Sequence, residues 1–125
     1  MGDYLMSTIK ANTLLHSDGS TTNPPAIPAL DKRMAKAWVN FKGSGTVAIN
    51  DSYNASSITD TTTGSYSVNL INTMSDTNYC VASSNNDWNA TAAAYPESTS
   101  KVKVYVENNN SLSDTGVIGV IVFGS

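Results

Sequence analysis

The 125-residue chain holds one cysteine, one histidine, two glutamates and six leucines. With Cys80 alone, no internal disulfide can close and no thiolate metal site can form. A single thiol fits a protein assembled in a reducing cytoplasm. With His16 as the only imidazole, zinc sites built on several Cys and His ligands are excluded. The shortage of Glu and Leu removes two of the better helix formers. Charged residues make up 14% of the chain, well below the usual level of about a quarter. The net charge is −3. Lys and Arg gather only at Lys32-Arg33 and at Lys101 and Lys103, so the basic patch that a nucleic-acid partner requires is missing. The longest apolar stretch, Val117–Phe123, is far short of the ~20 residues that span a bilayer, so no membrane insertion is expected. Met1 is followed by Gly2-Asp3-Tyr4, not by a basic and then an apolar run, so no signal peptide is expected.

What fills the chain instead is polar and β-prone. Ser, Thr and Asn account for 45 of the 125 residues, a composition suited to turns and hydrated sheet faces. Val, Ile, Thr and Tyr favour strands. The length fits one domain with a core of its own. Residues 1–34 read as an N-terminal arm and connector. Tyr4, Leu5, Met6, Ile9, Leu14 and Leu15 supply an apolar pattern, and Ser7–Leu14 is either a strand or an arm that packs on another subunit. The Ser/Thr/Gly/Asn run His16–Asn23 reads as a loop. Pro24, Pro25 and Pro28 make Asn23–Pro28 an extended, polyproline-like link, and Asp31–Met34 can form a single helical turn.

Residues 35–125 read as a β-domain. Ala35, Ala37, Val39 and Phe41 alternate with Lys36, Trp38, Asn40 and Lys42, which is the period of a strand with one buried face. Gly43-Ser44-Gly45 turns the chain, and Val47 and Ile49 return inward. Asp51–Thr59 reads as an irregular or edge strand and Asp60–Gly64 as a hairpin loop. Tyr66, Val68 and Leu70 form the next inward row. In Thr77–Ser84, Tyr79 and Val81 share one face while Cys80 and Ala82 share the other. Asn85–Ser100 breaks the alternation and reads as a long loop, of the kind that is often functional. Val102, Val104 and Val106 alternate with Lys101, Lys103, Tyr105 and Glu107. Gly116–Phe123 is apolar on both faces, as expected of a central strand or of one pressed against a neighbouring subunit. About seven antiparallel strands with turn signals at short intervals predict an all-β fold, a β-sandwich or jelly-roll-like domain.

Chemistry-bearing motifs are sparse. His16 sits beside Ser17 and Asp18, but serines and aspartates are so frequent here that a triad does not stand out from a solvated loop. The carboxylates are mostly Asp in turns, where they bond their own backbone. They match neither a Ca²⁺ loop nor the paired acids of a glycosidase. Gly43-Ser44-Gly45 lies between strands and is too short to cradle phosphate. Asn54, Asn89 and Asn109 each begin an N-x-[ST] tripeptide, a match that this composition produces by chance. No catalytic residue, metal ligand set or cofactor is therefore assigned. Trp38 and Tyr105 occupy nominally polar faces, which a second sheet or subunit could cover or a sugar ring could stack upon. Trp88 and Tyr95, with Asn86 and Asp87 beside Trp88, are the candidate ligand residues, since loops on a rigid sheet often carry recognition. Ile9, Leu14, Trp38, Tyr105, Ile121 and Phe123 are the candidate oligomer-interface residues. Cys80 reads as a small core or interface residue.

One ordered set of segments resembles a known family. It runs Ala37-Trp38-Val39-Asn40-Phe41, then Gly43-x-Gly45-Thr46-Val47, Asp51-Ser52-Tyr53-Asn54, Ser56-Ser57-Ile58-Thr59-Asp60, and Gly64-x-Tyr66-x-Val68-Asn69. The opening Met6-Ser7-Thr8-Ile9-Lys10-x-Asn12-Thr13-Leu14 belongs with it. These segments are similar to a β-domain of tail-fibre-like structural proteins of bacteriophages, many of them marine. The resemblance covers most of residues 6–80, while residues 85–125 vary among such proteins. The chain departs from the pattern at Asn50, where relatives often carry Arg, and at Cys80, usually a small apolar residue. An Arg-based contact is therefore not expected here. The resemblance implies a virion structural protein, assembled in the host bacterial cytoplasm. It would commonly be a homotrimer at or near the end of a fibre that contacts the host; the resemblance names no receptor. Taken with the aromatic residues of Asn85–Ser100, it makes other virion proteins and a host-surface glycan or protein the expected partners. A capsid decoration protein or tail adaptor is the alternative, and a polysaccharide depolymerase the third.

Overall fold

A computed structural model describes residues 8–21 and 30–125. It is all-β, with two antiparallel sheets forming a β-sandwich and no α-helix among the described residues. Among the described residues nine strands follow one another: β1 (Ala37–Lys42), β2 (Ala48–Tyr53), β3 (Ala55–Thr62), β4 (Ser65–Leu70), β5 (Cys80–Asn85), β6 (Ala90–Ser98), β7 (Lys101–Asn108), β8 (Ser111–Leu112) and β9 (Ile118–Phe123). The first sheet has the order β2-β1-β9-β5 and the second β3-β4-β7-β6, with β8 paired to β7.

The strands form where alternation is clean. Ala37, Val39 and Phe41 of β1 face Ile118, Val120 and Val122 of β9 along the buried side of the first sheet. Tyr66, Val68 and Leu70 of β4 and Val102, Val104 and Val106 of β7 line the inner side of the second. The two rows meet in one core, in which the Phe41 and Tyr66 rings pack edge-on at 5.4 Å. The last strand lies in the middle of the first sheet between β1 and β5, as its two apolar faces predict.

Two polar devices fix the ends of the core. Asn54, at φ 56°, turns the chain from β2 in one sheet to β3 in the other. Its amide nitrogen donates to the Lys36 and Asn72 carbonyls, and its Oδ1 accepts from the Asn72 N–H. At the opposite end the Tyr66 hydroxyl lies 2.6 Å from the Gly43 carbonyl and 2.8 Å from Asp114 Oδ1. Asp114 also accepts the Gly64 N–H at 2.7 Å. Burial first, and then the Asp114 carboxylate, raise the Tyr66 pKa well above the ordinary tyrosine value.

Three expectations change. Asn85–Ser100 is not a long loop, because Ala90–Ser98 is the longest strand of the domain. It alternates in burial, but Ala92, Ala94 and Pro96 inward against Thr91, Ala93 and Tyr95 outward give little polarity contrast. Pro96 reads as a breaker, yet β6 is an edge strand, where a missing donor is tolerated. Asp51–Thr59 is not one irregular strand; Asn54 divides it between β2 and β3. With β6 and the two-residue β8 added, the count rises from about seven to nine. Residues 8–14 carry no strand, and Ile9, Leu14 and Leu15 are exposed. The helical turn appears as a short 3₁₀ segment, Asp31–Arg33. Tyr4, Leu5, Met6 and the polyproline-like link at Asn23–Pro28 lie outside the described residues.

Candidate functional site

The residues singled out in the sequence fall into three places. The first is the short loop that joins β5 in the first sheet to β6 in the second, which carries Asn86, Asp87 and Trp88. Asp87 N–H donates to Asn85 Oδ1 at 2.8 Å, and Asn89 N–H to Asp87 Oδ1 at 2.9 Å. Such Asx bonds stiffen a turn with side chains that imitate backbone. Asn85 Nδ2 reaches across to the Ala90 carbonyl. Asn86 ties the loop to the segment before β9, its N–H donating to the Val117 carbonyl and its Oδ1 accepting the Val117 N–H. Asn86 and Asp87 are therefore occupied in shaping the loop. Trp88 projects from it at 92% exposure.

The second place is the outer side of the second sheet. Tyr95 on β6 and Tyr105 on β7 lie side by side, with ring centroids 6.1 Å apart and an interplanar angle of 31°. Hydrogen bonding between the two phenols, more than burial, raises the Tyr95 pKa above its ordinary value. Lys103 is opposite Tyr95 on one side and Ser67 on the other. Serine is small enough for the lysine to lie flat across β4. Its Nζ reaches Thr61 Oγ1 on β3 at 3.2 Å and stands 5.4 Å from the Tyr105 ring centroid. Glu97 crosses the same sheet in parallel and accepts the Ser67 hydroxyl at 2.8 Å. Five residues of extended chain, about 17 Å, separate Tyr95 from the start of β6 beside Trp88. The structure therefore does not bring Trp88 and Tyr95 together. Sequence reasoning missed Lys103 and Glu97. The signal was the serine pair Ser65 and Ser67, placed where a strand's outer face leaves room for long neighbours.

The third place is the outer side of the first sheet. Trp38 is paired with Tyr53 on β2 and Ile121 on β9, and Ile121 with Ala82 on β5. Phe123 and Cys80 are the next outward pair. Gly119 has no side chain, and the hollow above it, about 290 Å³, is walled by Trp38, Ile121, Ala82 and Ser84. Of the expected interface residues, Trp38, Ile121 and Phe123 thus share one face, while Tyr105 lies on the outer side of the other sheet. Ile9 and Leu14 are exposed in the N-terminal segment. Cys80, expected in the core or at an interface, is exposed on this face.

His16 is engaged by its own turn, with Nδ1 3.0 Å from Asp18 Oδ1. Among the described residues there is no group of three or more His, Cys, Asp or Glu able to hold a metal ion. No helix among them is long and apolar enough to cross a membrane. Comparison of the chain with protein-family models, with curated proteins and with solved structures finds no match.

Proposed function

We propose that the chain is a structural protein of a bacteriophage virion, a homotrimeric component of a tail fibre or fibre tip that binds the host surface and catalyses no reaction. The observation that carries this reading is Trp88. A large aromatic ring at 92% exposure leaves much apolar area in water, at about 25 cal/mol per Å². The loop beneath it is held by side-chain and backbone bonds to Asn85, Asp87 and Val117. A rigid support with an exposed aromatic anchor is the arrangement of a binding hot spot, since little ordering remains to be lost on contact. The likeness of residues 6–80 to tail-fibre-like proteins supplies the setting, and the single Cys80 thiol fits assembly in a bacterial cytoplasm.

The test is competition for adsorption. Purified protein is expected to block attachment of the parent phage to its host cells, and Trp88→Ala is expected to lose that block while keeping the wild-type melting temperature. Equal blocking by the variant would remove Trp88 from the site.

A second reading, a capsid decoration protein or tail adaptor, is favoured by the outer side of the first sheet. Trp38, Ile121 and Phe123 form an apolar row there that suits contact with other virion proteins or with further copies of the chain.

A further inference from the structure

We infer that the outer side of the second sheet is a separate saccharide-binding platform, at which Tyr95 and Tyr105 stack a neutral hexopyranose and Lys103 and Glu97 hydrogen-bond its vicinal hydroxyls. The rings provide the first part of the argument. At 6.1 Å and 31° they are neither face-stacked nor edge-on. They form one continuous aromatic strip beside the sheet edge, and Tyr95 is 47% exposed. The axial C–H groups of a pyranose carry slight positive charge and pack on the negative face of such rings.

The polar pair provides the second part. Lys103 is 7% exposed, and no carboxylate lies within ion-pair distance of it among the described residues. Its ammonium has one hydroxyl partner, Thr61, and retains further N–H donors. Glu97 gives one oxygen, Oε2, to Ser67, and a carboxylate accepts several hydrogen bonds. A cation that donates and an anion that accepts, laid side by side on β7 and β6, match adjacent sugar hydroxyls, each of which both donates and accepts. The two charges balance, so the platform suits a neutral sugar better than a uronate. The small residues Ser65 and Ser67 on β4 keep the surface low enough for a flat ring.

This site extends the reading of the chain as a surface-binding module but does not depend on Trp88. The experiment is an array of neutral and acidic hexose oligosaccharides probed with the full chain. The wild type is expected to bind neutral oligosaccharides. Tyr95→Ala is expected to weaken that binding about tenfold or more, and Tyr95→Phe, which keeps the ring, to stay within about threefold. Glu97→Gln is expected to weaken it too, and Trp88→Ala to leave it unchanged. Binding of acidic sugars alone, of no sugar, or equal binding by Tyr95→Ala would overturn the inference. Failure of Trp88→Ala to affect cell adsorption would bear on the β5–β6 loop only, so the two outcomes are distinguishable. Tyr95 is half-exposed on an edge strand, so its truncation is expected to leave the fold intact by circular dichroism.

Discussion

At the scale of single residues, Gly64 and Tyr66 set the tightest constraints. Gly64 sits at φ +65°, and a Cβ there would meet the Ser113 nitrogen and the Val106 carbonyl at 2.6 Å. Neither backbone group can step aside. Gly45 has the same φ, but a Cβ there would meet only the Lys42 Nζ, at an ordinary contact distance of 3.9 Å. Gly45→Ala is expected to cost about 1 kcal/mol, the price of a left-handed non-glycine residue. Gly64→Ala is expected to cost at least about 3 kcal/mol in urea denaturation, because a backbone shift is added. Equal losses at the two positions would refute the packing argument. Tyr66 governs behaviour in alkali. Burial and Asp114 raise its folded pKa, while the unfolded chain ionises near the ordinary value of about 10. The unfolded state then binds fewer protons than the folded one, so stability is complete below pH about 10 and is lost as pH climbs further. Tyr79, raised by burial and then by the Glu97 charge, acts in the same direction. Melting temperature is expected to fall above pH about 10, and Tyr66→Phe to fall less steeply. At neutral pH the same variant is expected to be less stable by about 1–2 kcal/mol, since it strips a buried hydrogen bond.

At the scale of elements, the passage from β2 to β3 decides how two sheets form from one chain. Asn54 combines a positive φ with three side-chain bonds to Lys36 and Asn72. Asn54→Gly is expected to keep the turn but lose the bonds, at about 1–2 kcal/mol, and Asn54→Ala to lose both, at about 2–4 kcal/mol, by thermal denaturation. The reverse order would show that the bonds matter more than the backbone shape. Much of this architecture was legible in the sequence. Strands β1, β4, β7 and β9 alternate apolar against polar, or are apolar on both sides, and their inward rows are the observed core. Strand β6 was hidden because alanine occupies both of its faces and Pro96 mimics a stop. The candidate site was legible only in part. Trp88 and Tyr95 were visible as aromatics among small polar residues, but nearness in sequence suggested one loop. The strand between them carries Tyr95 onto the sheet face, and Lys103 and Glu97 join it only through cross-strand register.

At the scale of the whole molecule, the two outer faces differ in character. One bears Trp38, Ile121 and Phe123 beside the Gly119 hollow, and the other bears the tyrosine strip with its charged pair. The proposed self-association is assigned to the first. Light scattering at micromolar concentration is expected to give about 40 kDa, three times the 13.2 kDa chain. Ile121→Lys is expected to reduce it to one chain without unfolding, because the substituted side chain points away from the core. A wild-type monomer would contradict the trimer, and an Ile121→Lys trimer would place assembly elsewhere. The central claim, a fibre component that meets the host, is tested most directly by the position of the protein on the particle. Gold-labelled antibody against this chain, imaged on intact virions, is expected to mark the distal ends of tail fibres; label spread over the capsid shell would contradict the account.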